Sequence, residues 1–380
     1  MDTPTLRVTE PREMLALIPH QLGFHPRESL VAVSLRPPRG RVGLVVRVDL
    51  SDLADPEHGP RLARGVVSHL DRDGAERCVL VVYTEHDPRA APDLVVAAAV
   101  AHFREAADAP FGDVPGWAVT GTGYLSLECE GECCPPGGRA LSELASTQVG
   151  ARMVLAGSVV AGSREDVARI RPASAEPRRS VARVRRRWLR RGAAALDAGG
   201  DELERWRRDG VAAWRRAVDE QIDRPAGPTA AALGRLEAAL VDRRVRDAVL
   251  VALVPGTGDL AERCVLGDRP SAQDDDGLGR ALALVVDPHC GVPAPPAATR
   301  VHEAVLEAVV AHGENGRQSA ALTLLGMLAW WRGDGARAGL LLERALDDDG
   351  AYRLAQLLAD AVACGVAPGW VRADFDSSAR

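Results

Sequence analysis

A chain of 380 residues, 46% hydrophobic and 26% charged, has the composition of a folded protein with room for two or three cores. All 47 basic residues are arginine, which excludes Schiff-base chemistry and any phosphate-binding loop built on lysine. The formal net charge is −6, and no apolar run approaches the roughly 18 residues that a spanning helix needs, so no membrane partner is expected. The amino-terminal stretch MDTPTLRVTEPREML lacks the basic and apolar regions of a signal peptide, and the seven cysteines are scattered apart from one cluster. A cytoplasmic protein with reduced thiols is the expectation.

Thr9 is placed to cap a short helix over 10–18 that Pro19 would stop. Residues 29–36 (SLVAVSLR) alternate as a strand does, and 37–40 (PPRG) turn them into 41–50 (RVGLVVRVDL), an antiparallel hairpin. A helix follows over 60–70, a buried strand over 78–83, an apolar helix over 92–107 and strand-like segments broken by glycines over 117–127. Strands interleaved with helices predict a mixed sheet with helices packed on it. Ser163 and Asp166 form a capping box for a short helix that Pro172 ends.

From 178 to 222 the chain turns helical and rich in Arg, Ala and Trp, with a break at Gly199-Gly200; 225–228 (PAGP) reads as a linker. Residues 246–254 (RDAVLVALV) fit either a strand or a buried helix, 288–296 form a loop, and helices fill about 300–365. The fold class is therefore α/β in an N-terminal domain, 1–175, followed by an Arg/Trp-rich helical segment, 176–224, and a mainly helical domain, 225–380, so that the C-terminal half is all-helical. Within the last, Leu322, Leu325, Gly326 and Ala329, then Ala338, Leu342, Ala345 and Leu346, match the spacing of a tetratricopeptide-like helix pair at about 319–347. Gly326 should face Ala338, while Arg332, Arg337 and Glu343 stay wet. One pair is not an array; a hairpin packed on its own protein is the plainer reading, and a protein partner docking at these C-terminal helices the functional one.

Cys129, Cys133 and Cys134 gather three thiols before a Pro-Pro-Gly-Gly turn, a donor set suited to zinc, which takes four N or S ligands at a structural site. The fourth ligand would come from afar, with His289 or Cys290 as candidates; a loop of reduced or redox-labile thiols is the plain alternative. His20, His25 and Glu28 lie between a helix end and the first strand, where an α/β protein can hold a ligand pocket with histidine as acid or base. Turn chemistry around Pro19 and Pro26 accounts for the same residues without a function. Gly256-Thr257-Gly258 superficially begins a dinucleotide fingerprint, but Gly267 and Pro270 leave the following helix too short. Segment 178–191 carries eight arginines in fourteen residues, with Val181, Val184, Trp188 and Leu189 at helical spacing. Arg185, Arg186 and Arg187 are the candidates for gripping nucleic acid; the alternative is a solvated face whose charge Asp201, Glu204 and other acids absorb.

Four segments carry a resemblance: Pro19-His20-Gln21-Leu22-Gly23-Phe24 with His25-Pro26 and Ser29-Leu30-Val31; Cys129 with Cys133-Cys134-Pro135; Ser163-Arg164-Glu165; and Ala329-Trp330 with Gly333-Asp334. Together they span most of the chain, which resembles the largely actinobacterial family called domain of unknown function 4192. The resemblance implies no activity and no catalytic residues. The function is unknown, and with no catalytic constellation recognised the leading reading is a non-enzymatic intracellular binding or scaffold protein. The second is an enzyme acting on a small polar ligand at the N-terminal α/β domain, and the third a nucleic-acid-associated protein working through the Arg-rich helix.

Overall fold

In the computed structural model, which describes residues 10–38, 40–90, 93–129, 131, 133–267, 271–287 and 299–371, the chain divides into two units, Met1–Val167 and Ala168–Arg380. Thr9, His289, Cys290 and the expected loop over 288–296 lie outside the described residues. The first unit runs α1 (Pro11–Leu22), β1 (Ser29–Arg36), β2 (Arg41–Asp49), α2 (Leu50–Ala54), α3 (Gly59–Arg72), β3 (Arg77–Tyr83) and α4 (Leu94–Phe111). It continues with β4 (Gly116–Val119), β5 (Gly123–Ser126), β6 (Arg139–Ala140), α5 (Ser142–Ala145), α6 (Gln148–Leu155) and α7 (Arg164–Val167).

The strands form one sheet in the order β2-β1-β3-β4-β5-β6, antiparallel throughout except for β3 and β4, which α4 connects as a crossover. Alternation decides the two faces. Leu30, Ala32, Leu80, Val82, Ala118 and Leu125 point to one side and are buried with Leu53 of α2, Leu70 of α3 and Phe103 of α4. Val31, Val81, Tyr83 and Tyr124 point to the other side and are buried too. There the Tyr124 hydroxyl donates to Glu143 of α5 at 2.9 Å. The carboxylate of Glu13 in α1 accepts the first amides of α6, from Gln148 at 3.3 Å and Val149 at 2.9 Å, so a buried acid is satisfied as a helix cap.

Pro19 does not stop α1. It forfeits one backbone bond, but Leu15, Leu17, Ile18 and Leu22 are buried on the same turns, and that burial outweighs the loss. The helix ends at Leu22, where Gly23 adopts φ 77°. The Ser163 hydroxyl accepts the Asp166 amide at 3.3 Å, as the capping box requires.

The second unit is helical: α8 (Ala175–Ala198), α9 (Gly200–Asp223), α10 (Ala230–Ala239), α11 (Arg243–Ala252), α12 (Leu260–Arg263), α13 (Ala272–Val286), α14 (Thr299–His312), α15 (Ser319–Trp331), α16 (Gly335–Asp348) and α17 (Arg353–Ala363). The ambiguous segment at 246–254 belongs to α11 and the turn after it, a helix that Asp242 starts by accepting the amides of Arg244 and Val245 at 2.9 and 3.2 Å. Trp188 and Trp206 stack at 6.4 Å where α8 meets α9.

Helices α15 and α16 form the expected hairpin, and Gly326 lies at its closest approach. A β-carbon there would meet Leu342 Cγ at 2.9 Å and the Ala338 carbonyl at 3.5 Å. Two of the residues expected to be wet are not. Arg332 pairs with Glu303 and donates to Thr299 at 3.1 Å, and Arg337 pairs with Glu307, so α14 supplies acids that heptad-scale reasoning about the hairpin alone could not see. Gly326→Leu should lower stability by about 1–3 kcal/mol through overpacking. Gly339→Ala, which points into open space within α16, should raise it by roughly 0.5–1 kcal/mol. Thermal melts check both, and equal melting points for the two variants would contradict this packing.

Candidate functional site

The three cysteines of the first unit converge. The sulfurs of Cys129, Cys133 and Cys134 all lie within 4.8 Å of one another, and they are the one such group of potential metal ligands among the described residues. Their loop leaves β5, folds back beside it, and returns through Gly137 and Gly138 to pair β6 with Gly123 and Tyr124. Cys133 and Cys134 sit in a turn closed by the Cys134 amide donating to the Gly131 carbonyl at 3.0 Å, and their side chains diverge. Cys134 is buried in the sheet core with its sulfur accepting the Ser126 amide at 3.4 Å, while Cys133 faces solvent. Cys129 is half-buried between them in exposure and packs against the same core.

Two clamps hold the loop. At its start, Glu128 pairs with Arg104 of α4 and accepts the Gly116 amide at 3.2 Å. Across it, Arg89 from the segment after β3 donates to the carbonyls of Cys129 at 2.7 Å, Cys134 at 3.3 Å and Pro135 at 3.2 Å. Asp87 orients that guanidinium through a 3.1 Å ion pair and accepts the Gly137 amide at 3.2 Å. The hydrogen bond from Arg89 holds the Asp87 carboxyl below its ordinary range, so the clamp is charged at neutral pH. Sequence reasoning missed both residues, because nothing local ties 87 and 89 to 129–135. The one available signal is a polar run, Thr84 to Asp87, that directly follows a buried strand.

The thiols are not equivalent. Cys129 and Cys133 sulfurs are 3.0 Å apart. The hydrogen bond from Cys133, then that from the Gly131 amide, hold the Cys129 thiol below the ordinary range; Cys133, as the donor, is held above it. Of the pair, Cys129 therefore gives up its proton first and is the first to act as nucleophile or ligand.

The other sequence candidates are placed as follows. His20, in the last turn of α1, has Nδ1 3.0 Å from the Ser158 hydroxyl, and burial followed by the charge of neighbouring His25 holds its imidazole below the ordinary value. His25 is exposed and donates its amide to the Ala161 carbonyl at 3.2 Å. Glu28 lies where β1 begins beside the end of β3: its backbone has φ 40° and its carboxylate accepts the Glu85 amide at 3.2 Å. In the second unit Arg186 and Arg187 are exposed, but Arg185 is buried. It donates to Glu237 at 2.8 Å and to Glu314 at 2.5 Å. A small apolar cleft opens beside Trp330, lined also by Leu250, Leu282, Met327, Leu354 and Leu358.

Because the thiolate is the reactive form, iodoacetamide should label Cys129 of chelator-treated protein at lower pH than it labels an ordinary thiol. Cys133→Ala removes the donor and should move that rate profile to higher pH. Peptide mapping of the label reads it, and an unmoved profile would show that the Cys133 hydrogen bond does not set this acidity.

A family model described as a domain of unknown function (DUF4192) matches residues 11–266 and 279–369. No curated protein and no solved structure matches the chain.

Proposed function

We propose that this chain, which belongs to the DUF4192 family, is a non-enzymatic binding protein whose N-terminal unit is stapled by zinc on Cys129, Cys133 and Cys134. The observation that carries this reading is the convergence of three sulfurs within 4.8 Å on a loop clamped from both ends. Zinc about 2.3 Å from each of its thiolates spaces them about 3.8 Å apart at tetrahedral angles. The three sulfurs already lie within 4.8 Å of one another, and those of Cys129 and Cys133, 3.0 Å apart, would open toward that value on binding. Soft sulfur ligands favour zinc over calcium or magnesium, which take oxygen.

The electrostatics fit as well. Metal binding needs thiolates; Cys129 is already biased to that form, and the others would lose their protons as the ion arrives. Arg89, seated on the loop carbonyls, offsets part of the negative charge of a metal–thiolate cluster. A staple here would tie the loop to the core through Cys134 and to solvent-facing chain through Cys133, leaving the fourth corner of the tetrahedron for another ligand. The binding half of the reading draws on the apolar cleft beside Trp330 in the helical unit.

Elemental analysis of protein purified without chelator should find near-stoichiometric zinc, lost in Cys133→Ser, and zinc removal should lower the melting temperature read by circular dichroism. Metal-free protein, or a Cys129–Cys133 disulfide in the intact mass, would overturn the zinc assignment.

A further inference from the structure

Helix α8 separates its charges by face. Val181, Arg185, Trp188 and Ala195 are buried against the rest of the helical unit. Arg179, Arg183, Arg186, Arg187 and Arg190 are exposed, and at 3.6 residues per turn they fall within an arc of about 100° on the opposite side. No carboxylate among the described residues pairs with any of these five; Arg183 reaches only the Ser180 hydroxyl, at 3.0 Å. The contrast with α9 is direct, since Arg205, Arg208 and Arg215 there each have a glutamate partner. The two acids of α8, Glu176 and Asp197, stand at its ends. Like charges three and four residues apart disfavour a helix, and this ridge keeps them adjacent in a chain of net charge −6.

We infer that this ridge grips the sugar–phosphate backbone of a double-stranded nucleic acid. Eleven residues separate Arg179 from Arg190, about 16 Å along the axis, a length over which a duplex presents about nine phosphates at one per ~1.7 Å counting both strands, enough to give each of the five arginines its own. The guanidinium fork suits phosphate oxygens. A membrane surface and a single strand fit less well. The ridge carries no aromatic side chain to sit in a headgroup layer or to stack on unpaired bases, because Trp188 is buried on the other face and stacked on Trp206. Contacts to phosphate fix position and carry no sequence information, so the grip is indifferent to base sequence.

Anisotropy of a short fluorescent duplex with the full-length protein tests it. Affinity should fall roughly 500-fold between about 50 and 200 mM salt if five phosphates are neutralised, and only about tenfold in Arg183→Gln/Arg186→Gln/Arg190→Gln. Arg186→Gln and Arg190→Gln singly should each flatten the slope by about one. Arg205→Gln/Arg208→Gln on α9 should change nothing, and scrambling the duplex sequence should change nothing. Absence of binding at low salt, equal weakening by the α9 variant, or binding to phosphatidylserine vesicles without binding to the duplex overturns the inference.

Discussion

The helical unit depends on one buried contact, between Arg185 and Glu237, whose side chains are only 10% and 5% exposed. Glu237 on α10 also accepts the Glu314 amide at 2.9 Å, and Glu314 returns its own carboxylate to Arg185. Three chain segments distant in sequence thereby share one charge cluster. A buried pair of this kind is weak evidence of stability, since desolvation consumes most of its attraction, but removing one partner strands the other at a cost of about 3–5 kcal/mol. What it enforces is rotation. With Arg185 drawn inward, α8 has one rotational setting about its axis, and the arginines half a turn away are committed to the outside.

Arginine performs a second task that lysine could not. Arg89 binds three carbonyls of the cysteine loop with one planar fork, and Arg244 does the same for the carbonyls of Cys264, Leu266 and Gly267, at 2.8, 2.6 and 2.5 Å. Each gathers the loose backbone oxygens of a turn that no helix or strand satisfies. An ammonium, with its three donors on one atom, cannot span such a set. A chain with no lysine is thus adapted in its loops as well as on its surface, whatever drove its composition.

The strands over 29–36 and 78–83, the hairpin, the break between α8 and α9 and the α15–α16 pair were all legible, because each rests on periodicity or on a local turn residue. Pro19 and the 246–254 segment were not, since tertiary burial decides both. The site divides in the same way. The spacing of Cys129, Cys133 and Cys134 suggested a shared ligand, yet only the return of the chain along β5 brings the sulfurs together. Arg185 looked like its neighbours Arg186 and Arg187 in the sequence, and its inward course depends on Glu237, 52 residues away. Asp87 and Arg89 were invisible for that reason too.

The tryptophans are unevenly divided. Of the seven, only Trp117, on β4, belongs to the first unit; Trp188, Trp206, Trp214, Trp330, Trp331 and Trp370 belong to the second. Intrinsic fluorescence is therefore almost a private signal of the helical unit. The Trp188–Trp206 stack dominates its α8–α9 end, and the Trp330 and Trp370 indoles, which donate to the carbonyls of Val366 and Trp331 at 2.7 Å each, report its last helices. The sheet and its cysteine loop contribute one half-buried indole, so a change in total tryptophan emission reports chiefly on the helical unit without any added dye.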